Sequence, residues 1–243
     1  MVLAAGLGTR LRPLTDTKPK ALVRIGEYTM LDLAVQYLKK YGIEEIIINV
    51  HHFADQIEQY VRSQNNYGIS IEFSDERQML LDTGGGIKQA SRYLKDSLPF
   101  LVMAVDVLTD LDLHSMINYH RQQQALVTLA VKDRPTTRKL LFDTNMRLSG
   151  WKNNITGELK GLENEDGYTG LGFSVIHIIN PELFALMHET GSFSILDVYL
   201  RIMKLQKIMG FRHDAADWME FGRAENIPEI ENSATFKKLI ADL

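Results

Sequence analysis

Residues 3–23 read LAAGLGTRLRPLTDTKPKALV, a short apolar strand that runs into a glycine-rich loop and then a basic segment. Gly6 and Gly8 allow backbone N–H groups to approach a polyphosphate closely and to form an anion-binding nest. Arg10 can neutralise phosphate oxygens through a two-pronged contact, and Lys20 adds a point charge. The segment is either a phosphate-binding loop or a tight surface turn before a solvated basic loop. In both interpretations we expect Lys20 to lie in an exposed loop.

After the glycine loop, strand-like and helix-like segments alternate through the first half of the chain. Strands that alternate with helices of this length are typical of βαβ units, so we expect an α/β fold with a mainly parallel sheet. Apolar residues at helical spacing and short β-branched runs give the bounds of these elements. The predicted helices cover 30–41, 53–63 and 85–94, and the predicted strands cover 1–5, 46–50, 69–73 and 100–105.

The second half of the sequence is less regular. Asn180 precedes Pro181, an arrangement typical of a helix cap followed by the first helical turn. The sequence has no internal repeat, linker or low-complexity tract, so we predict one continuous domain over 1–243. The predicted strands cover 125–131, 140–142, 147–151 and 171–179, and the predicted helices cover 195–207 and 226–243.

Composition and charge exclude several classes of protein. The 243 residues include 45% hydrophobic and 24% charged residues, which is ordinary for a soluble globular protein. The chain has no cysteine, so disulfides and thiolate chemistry are excluded. A formal net charge of -4 argues against a nucleic-acid partner, and no apolar run approaches the ~20 residues of a membrane span. Because no basic stretch precedes an apolar core at the N-terminus, we expect a cytoplasmic protein.

The glycine loop differs from two common phosphate-binding motifs. It lacks the Gly-Lys-Ser/Thr ending of a P-loop and the third glycine of a dinucleotide fingerprint. It closely resembles the signature of the sugar-phosphate nucleotidyltransferases, in which a Leu-Ala-Ala-Gly strand end leads to Gly-Thr-Arg-Leu and then Pro-Lys. Within that family the sequence looks most like short bacterial members, such as N-acetylmuramate 1-phosphate uridylyltransferases and mannose 1-phosphate guanylyltransferase-like proteins. Weaker resemblance continues at 81–86, 102–112, 173–183 and 218–226.

This resemblance implies a fold and a reaction. The fold would be a single doubly wound, Rossmann-like mixed sheet flanked by helices, with a nucleotide-binding half over about 1–110 and a sugar-binding half over about 111–243. The reaction would be attack by a sugar 1-phosphate on the α-phosphorus of a nucleoside triphosphate, with release of pyrophosphate. Since the reaction brings two anions together, Mg²⁺ would be the cofactor and basic side chains would assist.

Asp106 is the metal ligand that its position in the sequence favours. It follows the apolar run 100–105, so it should emerge at the carboxyl end of a strand. Carboxylate oxygen is the ligand that Mg²⁺ prefers. The neighbouring Asp110 and Asp112 fit helix-capping or turn positions better.

The resemblance implies roles for further residues. Arg10 would hold the triphosphate, and Lys20 would touch the α-phosphate or the sugar phosphate. Gly172 and Val175 would lie on the sugar side, and Glu220 would join Asp106 as a metal ligand. The implied catalytic residues are Arg10, Lys20 and Asp106, and the implied nucleotide-binding residues are Leu3, Ala4, Ala5, Gly6, Gly8, Thr9, Arg10, Thr83, Gly84 and Gly85.

Three positions depart from the family pattern. Val105 precedes Asp106 where a small residue is typical, Val175 stands where glycine is usual, and Glu220 stands where aspartate is usual. Added bulk at Val175 would narrow the sugar pocket. Two alternatives therefore stay open, a catalytically weak homologue that binds nucleotides or sugars and a cytidylyltransferase that acts on an alcohol phosphate such as phosphocholine.

Overall fold

The computed structural model of the chain describes residues 1–96 and 98–243. The strands are β1 Val2–Leu3, β2 Arg24–Ile25, β3 Tyr28–Thr29, β4 Glu45–Val50, β5 Ser70–Asp75, β6 Phe100–Ala104, β7 Val107–Thr109, β8 Val127–Lys132, β9 Arg138–Phe142, β10 Leu148–Asn153, β11 Leu159–Lys160, β12 Thr169–Ile179, β13 Ile208–Arg212 and β14 Trp218–Glu220. The α-helices are α1 Met30–Lys40, α2 Ala54–Ser63, α3 Asp82–Gln89, α4 Ser91–Leu94, α5 Leu113–Gln123, α6 Ile195–Ile202, α7 Ile227–Asn232 and α8 Ala234–Ala241. Short 3-10 helices cover Thr9–Leu11, Lys20–Leu22, Asn65–Gly68, Pro181–Leu186 and Ala224–Asn226.

The central sheet has a parallel part and a largely antiparallel part. Strands β6, β1, β4 and β5 lie side by side in parallel. Strand β12 then pairs antiparallel with β6, β8 and β9, and β9, β10 and β11 continue antiparallel. Strand β13 pairs parallel with β8. The mainly parallel arrangement expected from the first half of the sequence is confirmed for β6, β1, β4 and β5. Antiparallel pairs in the second half make the whole sheet mixed, as the family resemblance implies.

Successive residues along the strands belong to two different hydrophobic clusters, one on each face of the sheet. In β4, Ile46 and Ile48 belong to the cluster that includes α1, α2, α5, α7 and α8, whereas Ile47 packs on the cluster that includes α3, α4 and α6. Successive strand side chains point to opposite faces, so helices cover both faces of the sheet. Because helices cover both faces of the sheet, β4 is a nearly continuous run of apolar residues.

Helix α1 begins where its sequence predicts. Thr29 Oγ1 accepts a hydrogen bond from the Asp32 N–H at 3.1 Å, and an Asp32 carboxylate oxygen accepts one from the Thr29 N–H at 2.7 Å. This reciprocal pair is a capping box, which satisfies two N–H groups at the start of the helix. Leu31 and Leu38 lie on the buried side of the helix, as the apolar spacing predicts.

Two predicted helices have different bounds in the structure. The helix predicted over 85–94 begins at Asp82 and is interrupted at Ala90, so it is α3 followed by α4. The helix predicted over 195–207 ends at Ile202, and β13 begins at Ile208, just beyond the predicted range. Pairing with β8 places β13 in the central sheet.

The C-terminal helix and the Asn180 cap also differ from the expectations. The region 226–243 forms two helices, because Ser233 is extended and its Oγ accepts a hydrogen bond from the Phe236 N–H at 3.1 Å, which caps α8. Asn180 precedes a short 3-10 helix but makes no side-chain cap, and its Nδ2 donates to the Ala125 carbonyl at 2.6 Å. Within residues 1–96 and 98–243, no helix combines the length and apolarity needed to cross a bilayer.

Candidate active site

A cleft of about 360 Å³ opens at the carboxyl ends of β1, β4 and β6. In doubly wound folds, ligands bind at this edge of the sheet. The glycine loop, the start of α3 and strand β12 all contribute to its walls. The lining residues are Leu3, Ala4, Ala5, Gly6, Lys20, Asn49, Leu80, Asp82, Thr83, Ala104, Val105, Asp106, Val175 and Ser192.

Lys20 and Asp106 form an ion pair in this cleft. Asp106 lies just after β6, at the carboxyl end where the sequence predicts it. The Lys20 side chain is 15% exposed and that of Asp106 is 10% exposed. The expectation of an exposed Lys20 is wrong, because Lys20 begins a short 3-10 helix and its ammonium group reaches the Asp106 carboxylate.

The glycine loop needs glycine at position 8 for two reasons. Gly8 has a φ of 64°, in the left-handed region that favours glycine. A Cβ at this position would lie 2.9 Å from Thr15 Cγ2 and 3.0 Å from Lys20 Cβ. Thr15 Oγ1 also donates to the Gly8 carbonyl at 2.9 Å. The loop therefore packs directly on the segment that carries Lys20, while Gly6 faces open space in the cleft.

Glu220 lies next to the strand that follows Asp106. Strand β14 pairs antiparallel with β7, and the Phe221 N–H donates to the Asp106 carbonyl at 2.9 Å. Glu220 Oε1 lies 3.4 Å from Nη2 of Arg10, whose side chain is 62% exposed. Such an exposed ion pair contributes little to stability. The ion pair nevertheless lies at the end of the sheet where the backbone of Asp106 lies.

Gly84, Gly85 and Gly86 form a second glycine segment within α3, and their lack of side chains allows the helix to pack closely on its neighbours. A Cβ at Gly84 would lie 2.5 Å from the Phe193 ring, and one at Gly85 would lie 2.5 Å from the Gly191 carbonyl oxygen. Thr83 lines the cleft, and its Oγ1 accepts a hydrogen bond from the Ile195 N–H at 3.0 Å. Contact of Thr83, Gly84 and Gly85 with a base stays a prediction, and helix packing accounts for the missing side chains at the two glycines.

Two non-glycine residues that line the cleft have left-handed backbone conformations. Asp82 has a φ of 57° and Val175 a φ of 55°. Aspartate tolerates this region, but for a β-branched residue it is a strained conformation. The strain lies where β12 loses regular pairing with β8, between Phe173 and His177.

Side chains hold the irregular part of β12 in place. Arg134 Nη2 donates to the Phe173 carbonyl at 2.9 Å, and its guanidinium carbon lies 4.1 Å from the centre of the Trp218 ring. Trp218 Nε1 donates to the Ser174 carbonyl at 3.2 Å. Burial lowers the pKa of the Arg134 guanidinium, and the charge of Glu220 opposes that shift.

Gly172 lies under this arginine. A Cβ at Gly172 would lie 3.0 Å from the Arg134 side chain, and Gly172 is absent from the cleft lining. On the same strand, the Ser174 Oγ and the His213 Nε2 share a hydrogen bond of 2.7 Å. Burial lowers the pKa of His213 to about 4, so this imidazole is neutral at pH 7.

Comparison with known proteins identifies the family. The sequence profile of the nucleotidyl transferase family matches residues 1–139, which contain the glycine loop, Lys20 and Asp106. The chain belongs to the nucleotidyl transferase family.

Two curated relatives show how far the likeness of this nucleotidyl transferase extends. The N-acetylmuramate alpha-1-phosphate uridylyltransferase of Neisseria meningitidis serogroup B is 32% identical over 239 residues, which are 95% of this chain and 96% of the relative. The UTP–glucose-1-phosphate uridylyltransferase of a Synechocystis strain is 34% identical over 146 residues, but these cover 56% of this chain and only 37% of that relative. The resemblance to sugar-phosphate nucleotidyltransferases is therefore confirmed, while this chain spans well under half of the second relative.

A solved structure confirms the predicted fold. UDP-glucose pyrophosphorylase complexed with UDP-glucose has a TM-score of 0.76, with 98% of this chain and 97% of that chain covered. Sequence identity is 20%, so the likeness concerns the fold alone. The nucleotidyl transferase has the Rossmann-like mixed sheet flanked by helices that the sequence implies.

The acidic residues of this nucleotidyl transferase fit a magnesium site completed by substrate. Mg²⁺ is usually bound by one or two carboxylates together with substrate phosphates. Asp106 and Glu220 lie on neighbouring strand ends, and each contacts a basic side chain that could turn to a phosphate. Among the described residues, no three or more ligating side chains cluster in a way that would hold a metal without substrate.

The neighbouring aspartates have other partners. Asp112 accepts a hydrogen bond from the His114 N–H at 3.0 Å and so caps α5. Asp110 accepts from the Asp217 N–H at 2.7 Å and from Lys238 Nζ at 2.8 Å. The prediction of a helix cap is confirmed for Asp112. Asp110 instead links the end of β7 to the Asp217 backbone and to α8.

Sequence reasoning missed several residues of the cleft. The clearest signal was Asn49, a polar residue inside the β-branched run of β4. A polar side chain in a strand that is buried on both faces needs hydrogen-bond partners, which is a reason to look for a site there. The other missed lining residues are Leu80, Asp82, Ala104 and Ser192.

Proposed function

We propose that this nucleotidyl transferase joins a nucleoside monophosphate to a sugar 1-phosphate. A phosphate oxygen of the sugar 1-phosphate forms a new bond to the α-phosphorus of a nucleoside triphosphate. The bond from that phosphorus to the oxygen bridging the α- and β-phosphates breaks, and pyrophosphate leaves with the bonding electrons. The names of the Neisseria and Synechocystis relatives describe uridylyl transfer to sugar 1-phosphates, which supports this reaction class.

The Lys20–Asp106 pair is the observation that carries this proposal. The pair lies in the cleft beside Gly6, at the carboxyl ends of three neighbouring parallel strands. The attacking phosphate is already largely ionised near pH 7, so no side chain has to remove a proton from it. The site has to neutralise charge, and a cation and a carboxylate held together out of water suit that task.

We assign the charges of the site as follows. In the chain alone, Lys20 neutralises Asp106. Mg²⁺ held by Asp106 and Glu220 would offset the charge of the phosphates. Lys20 would then turn its ammonium group from Asp106 to the α-phosphate or the sugar phosphate. Arg10, which is exposed at the rim, would release Glu220 and contact the triphosphate.

The test is a substrate panel. Purified protein with Mg²⁺ is supplied with each of the four nucleoside triphosphates together with a set of sugar 1-phosphates, and pyrophosphate release is measured. Choline phosphate is included as an acceptor, because a cytidylyltransferase of alcohol phosphates would use it with CTP. We expect release with a sugar 1-phosphate and loss of that release in Lys20→Met.

Two outcomes would contradict the proposal. Nucleotide binding without pyrophosphate release for any pair would favour a catalytically weak binding protein. Release with choline phosphate but with no sugar 1-phosphate would favour the alcohol-phosphate enzyme. Omitting Mg²⁺ from the active pair tests the cofactor separately, and unchanged release without divalent cations would contradict its role.

A further inference from the structure

The glycine loop begins at a backbone N–H that a side chain holds. Leu3, the last residue of β1, lies opposite Asn49 in the pairing of β1 with β4. One residue further, the Ala4 N–H donates to Asn49 Oδ1 at 2.6 Å. The Asn49 side chain therefore fixes the point at which the chain leaves the sheet and enters the loop.

The same asparagine is linked to the start of α3. Asn49 Nδ2 donates to Glu76 Oε1 at 2.7 Å, and Glu76 Oε2 accepts from the Leu81 N–H at 3.1 Å. Leu81 is the residue immediately before α3. Three consecutive hydrogen bonds thus run from Ala4 to Leu81, and we call this chain the Asn49–Glu76 bridge.

The bridge is buried and closely packed. Asn49 and Glu76 are each 3% exposed. A Cβ at Gly86 would lie 2.7 Å from Glu76 Oε1 and 3.0 Å from Asn49 Nδ2, so the third glycine of the second glycine segment makes room for the bridge. Burial raises the pKa of Glu76, and the hydrogen bonds from Asn49 and Leu81 oppose that shift.

Both ends of the bridge are backbone donors, which fixes its polarity. The Ala4 and Leu81 N–H groups can only donate, so Asn49 must present oxygen to Ala4 and Glu76 must present oxygen to Leu81. The inner link then needs one donor and one acceptor, which the Asn49 amide and the Glu76 carboxylate supply.

We propose that Asn49 and Glu76 are positioning residues that set the separation between the glycine loop and the start of α3, and so determine nucleoside triphosphate affinity. The segments they join both line the cleft, through Ala4 on one side and Asp82 on the other. This role rests on the proposed function of the cleft. Small displacements of such segments change binding and rate strongly, because contacts to phosphate and base depend on distance. Within the described part of the chain, no hydrogen bond joins the bridge to β12, the proposed sugar side.

A reversal of the inner link tests this proposal. Asn49→Asp places two carboxylates against each other. In Glu76→Gln, the NH₂ group of the new amide faces the Leu81 N–H, so two donors meet. In the double variant Asn49→Asp/Glu76→Gln, the aspartate accepts from Ala4 and from the new glutamine amide, and the glutamine oxygen accepts from Leu81. All three hydrogen bonds are possible again, with the inner one reversed.

Two measurements read the effect. Amide hydrogen exchange at Ala4 and Leu81 reports the bridge itself and needs no substrate. Calorimetric binding of each of the four nucleoside triphosphates with Mg²⁺ reports its consequence. Glu72→Gln is the matched control, because Glu72 is an exposed carboxylate on β5, the strand just before Glu76.

In both single variants we expect the Ala4 and Leu81 amides to exchange faster and the triphosphate to bind at least tenfold more weakly. A loss of about tenfold lies within the range of interaction energies of residues in contact. The double variant should recover both properties, while the KM for sugar 1-phosphate changes less than triphosphate affinity in every variant. If Asn49→Asp does not fold, Glu76→Gln and the double variant still provide the comparison.

Single variants that bind triphosphate as tightly as the wild type would overturn the proposal. A double variant no better than the singles would do so as well. These outcomes are separable from failure of the proposed function. A protein that releases no pyrophosphate with any pair refutes that function, while exchange and triphosphate binding still judge the bridge.

Discussion

The two sides of the cleft use the same backbone conformation in different ways. On the side of the glycine loop, the proposed nucleotide side, Gly8 is left-handed at a φ of 64°, and a glycine adopts this without strain. On the side of β12, the proposed sugar side, Val175 is left-handed at a φ of 55°, which strains a β-branched residue. Close packing requires glycine at position 8, whereas Arg134 and Trp218 donate hydrogen bonds to the carbonyls of the two residues that precede Val175. The glycine loop therefore follows the family pattern, whereas Val175 is one of the three positions at which this chain departs from it.

Removal of the Lys20 charge should give the largest effect on the nucleotide side. We expect Lys20→Met to lower kcat by roughly 100- to 1,000-fold, because one positioned charge in such a site contributes this much. It should also cost about 3–5 kcal/mol of unfolding free energy, since it leaves the buried Asp106 carboxylate unpaired. Lys18→Met, which changes an exposed lysine of the same segment, is the control.

The double variant Lys20→Met/Asp106→Asn separates the two effects. It removes both charges, so we expect it to regain most of the lost unfolding free energy and none of the turnover. Denaturant unfolding and pyrophosphate release measure the two quantities. Recovery of turnover in the double variant would show that Lys20 only neutralises Asp106.

Asp106 lies between the two sides of the cleft, and Asp106→Asn tests whether it binds Mg²⁺. The substitution keeps the size of the side chain and removes its charge, so we expect turnover at a fixed Mg²⁺ concentration to fall roughly 100-fold and higher Mg²⁺ to restore part of it. Asp110→Asn is the matched control, because the Asp110 carboxylate is hydrogen-bonded to Lys238 and to the Asp217 N–H and so has other partners than a metal. A greater Mg²⁺ requirement in the control than in Asp106→Asn would move the metal ligand to Asp110.

Glu220 should give a smaller effect, because it lies further toward solvent. We expect Glu220→Gln to lower turnover about tenfold, equivalent to about 1.4 kcal/mol, and Glu220→Asp to lower it less, since charge matters more than reach. Glu225→Gln is an exposed control. Asp214 and Asp217 are held by Arg212 and by Lys238, so they are poor substitutes for Glu220. A nucleotide complex with Mg²⁺ on either of these aspartates would disprove the assignment.

Val175→Gly should have the smallest effect, and it changes the left-handed residue of β12 itself. Relief of the left-handed strain is worth on the order of 1–3 kcal/mol, and the added freedom of glycine costs about 0.5–1 kcal/mol. We therefore expect unfolding free energy to rise by about 1 kcal/mol, together with a lower KM for a bulky sugar 1-phosphate. Val175→Ala widens the pocket with less relief of strain, so a stability gain of equal size in both variants would show that strain is not the cause.

The parts of the site that sequence could predict are those set by local patterns. The glycine loop is a continuous motif, and Asp106 follows an apolar strand, so both positions could be placed in the fold. The burial of Lys20 could not, because it depends on a contact between residues 20 and 106. The same holds for the neighbourhood of Glu220, which results from pairing of β14 with a strand more than 100 residues away along the chain.

The fold shows the same division between local and long-range information. Helix α1 follows from its capping box and apolar spacing. Strand β13 was not predicted, because Gly210 and Arg212 interrupt its apolar residues and its place in the sheet depends on pairing with β8. The left-handed Val175 could not be predicted either, since its conformation depends on contacts of β12 with Arg134 and Trp218.

A crystal structure with Mg²⁺ and a non-hydrolysable nucleoside triphosphate tests the proposed roles of the glycine loop, Lys20 and Asp106 together. We predict the triphosphate over Gly6 and Gly8, Mg²⁺ on Asp106, and the Lys20 ammonium group moved from Asp106 to a phosphate oxygen. A triphosphate bound elsewhere, with the Lys20–Asp106 ion pair intact, would contradict this prediction.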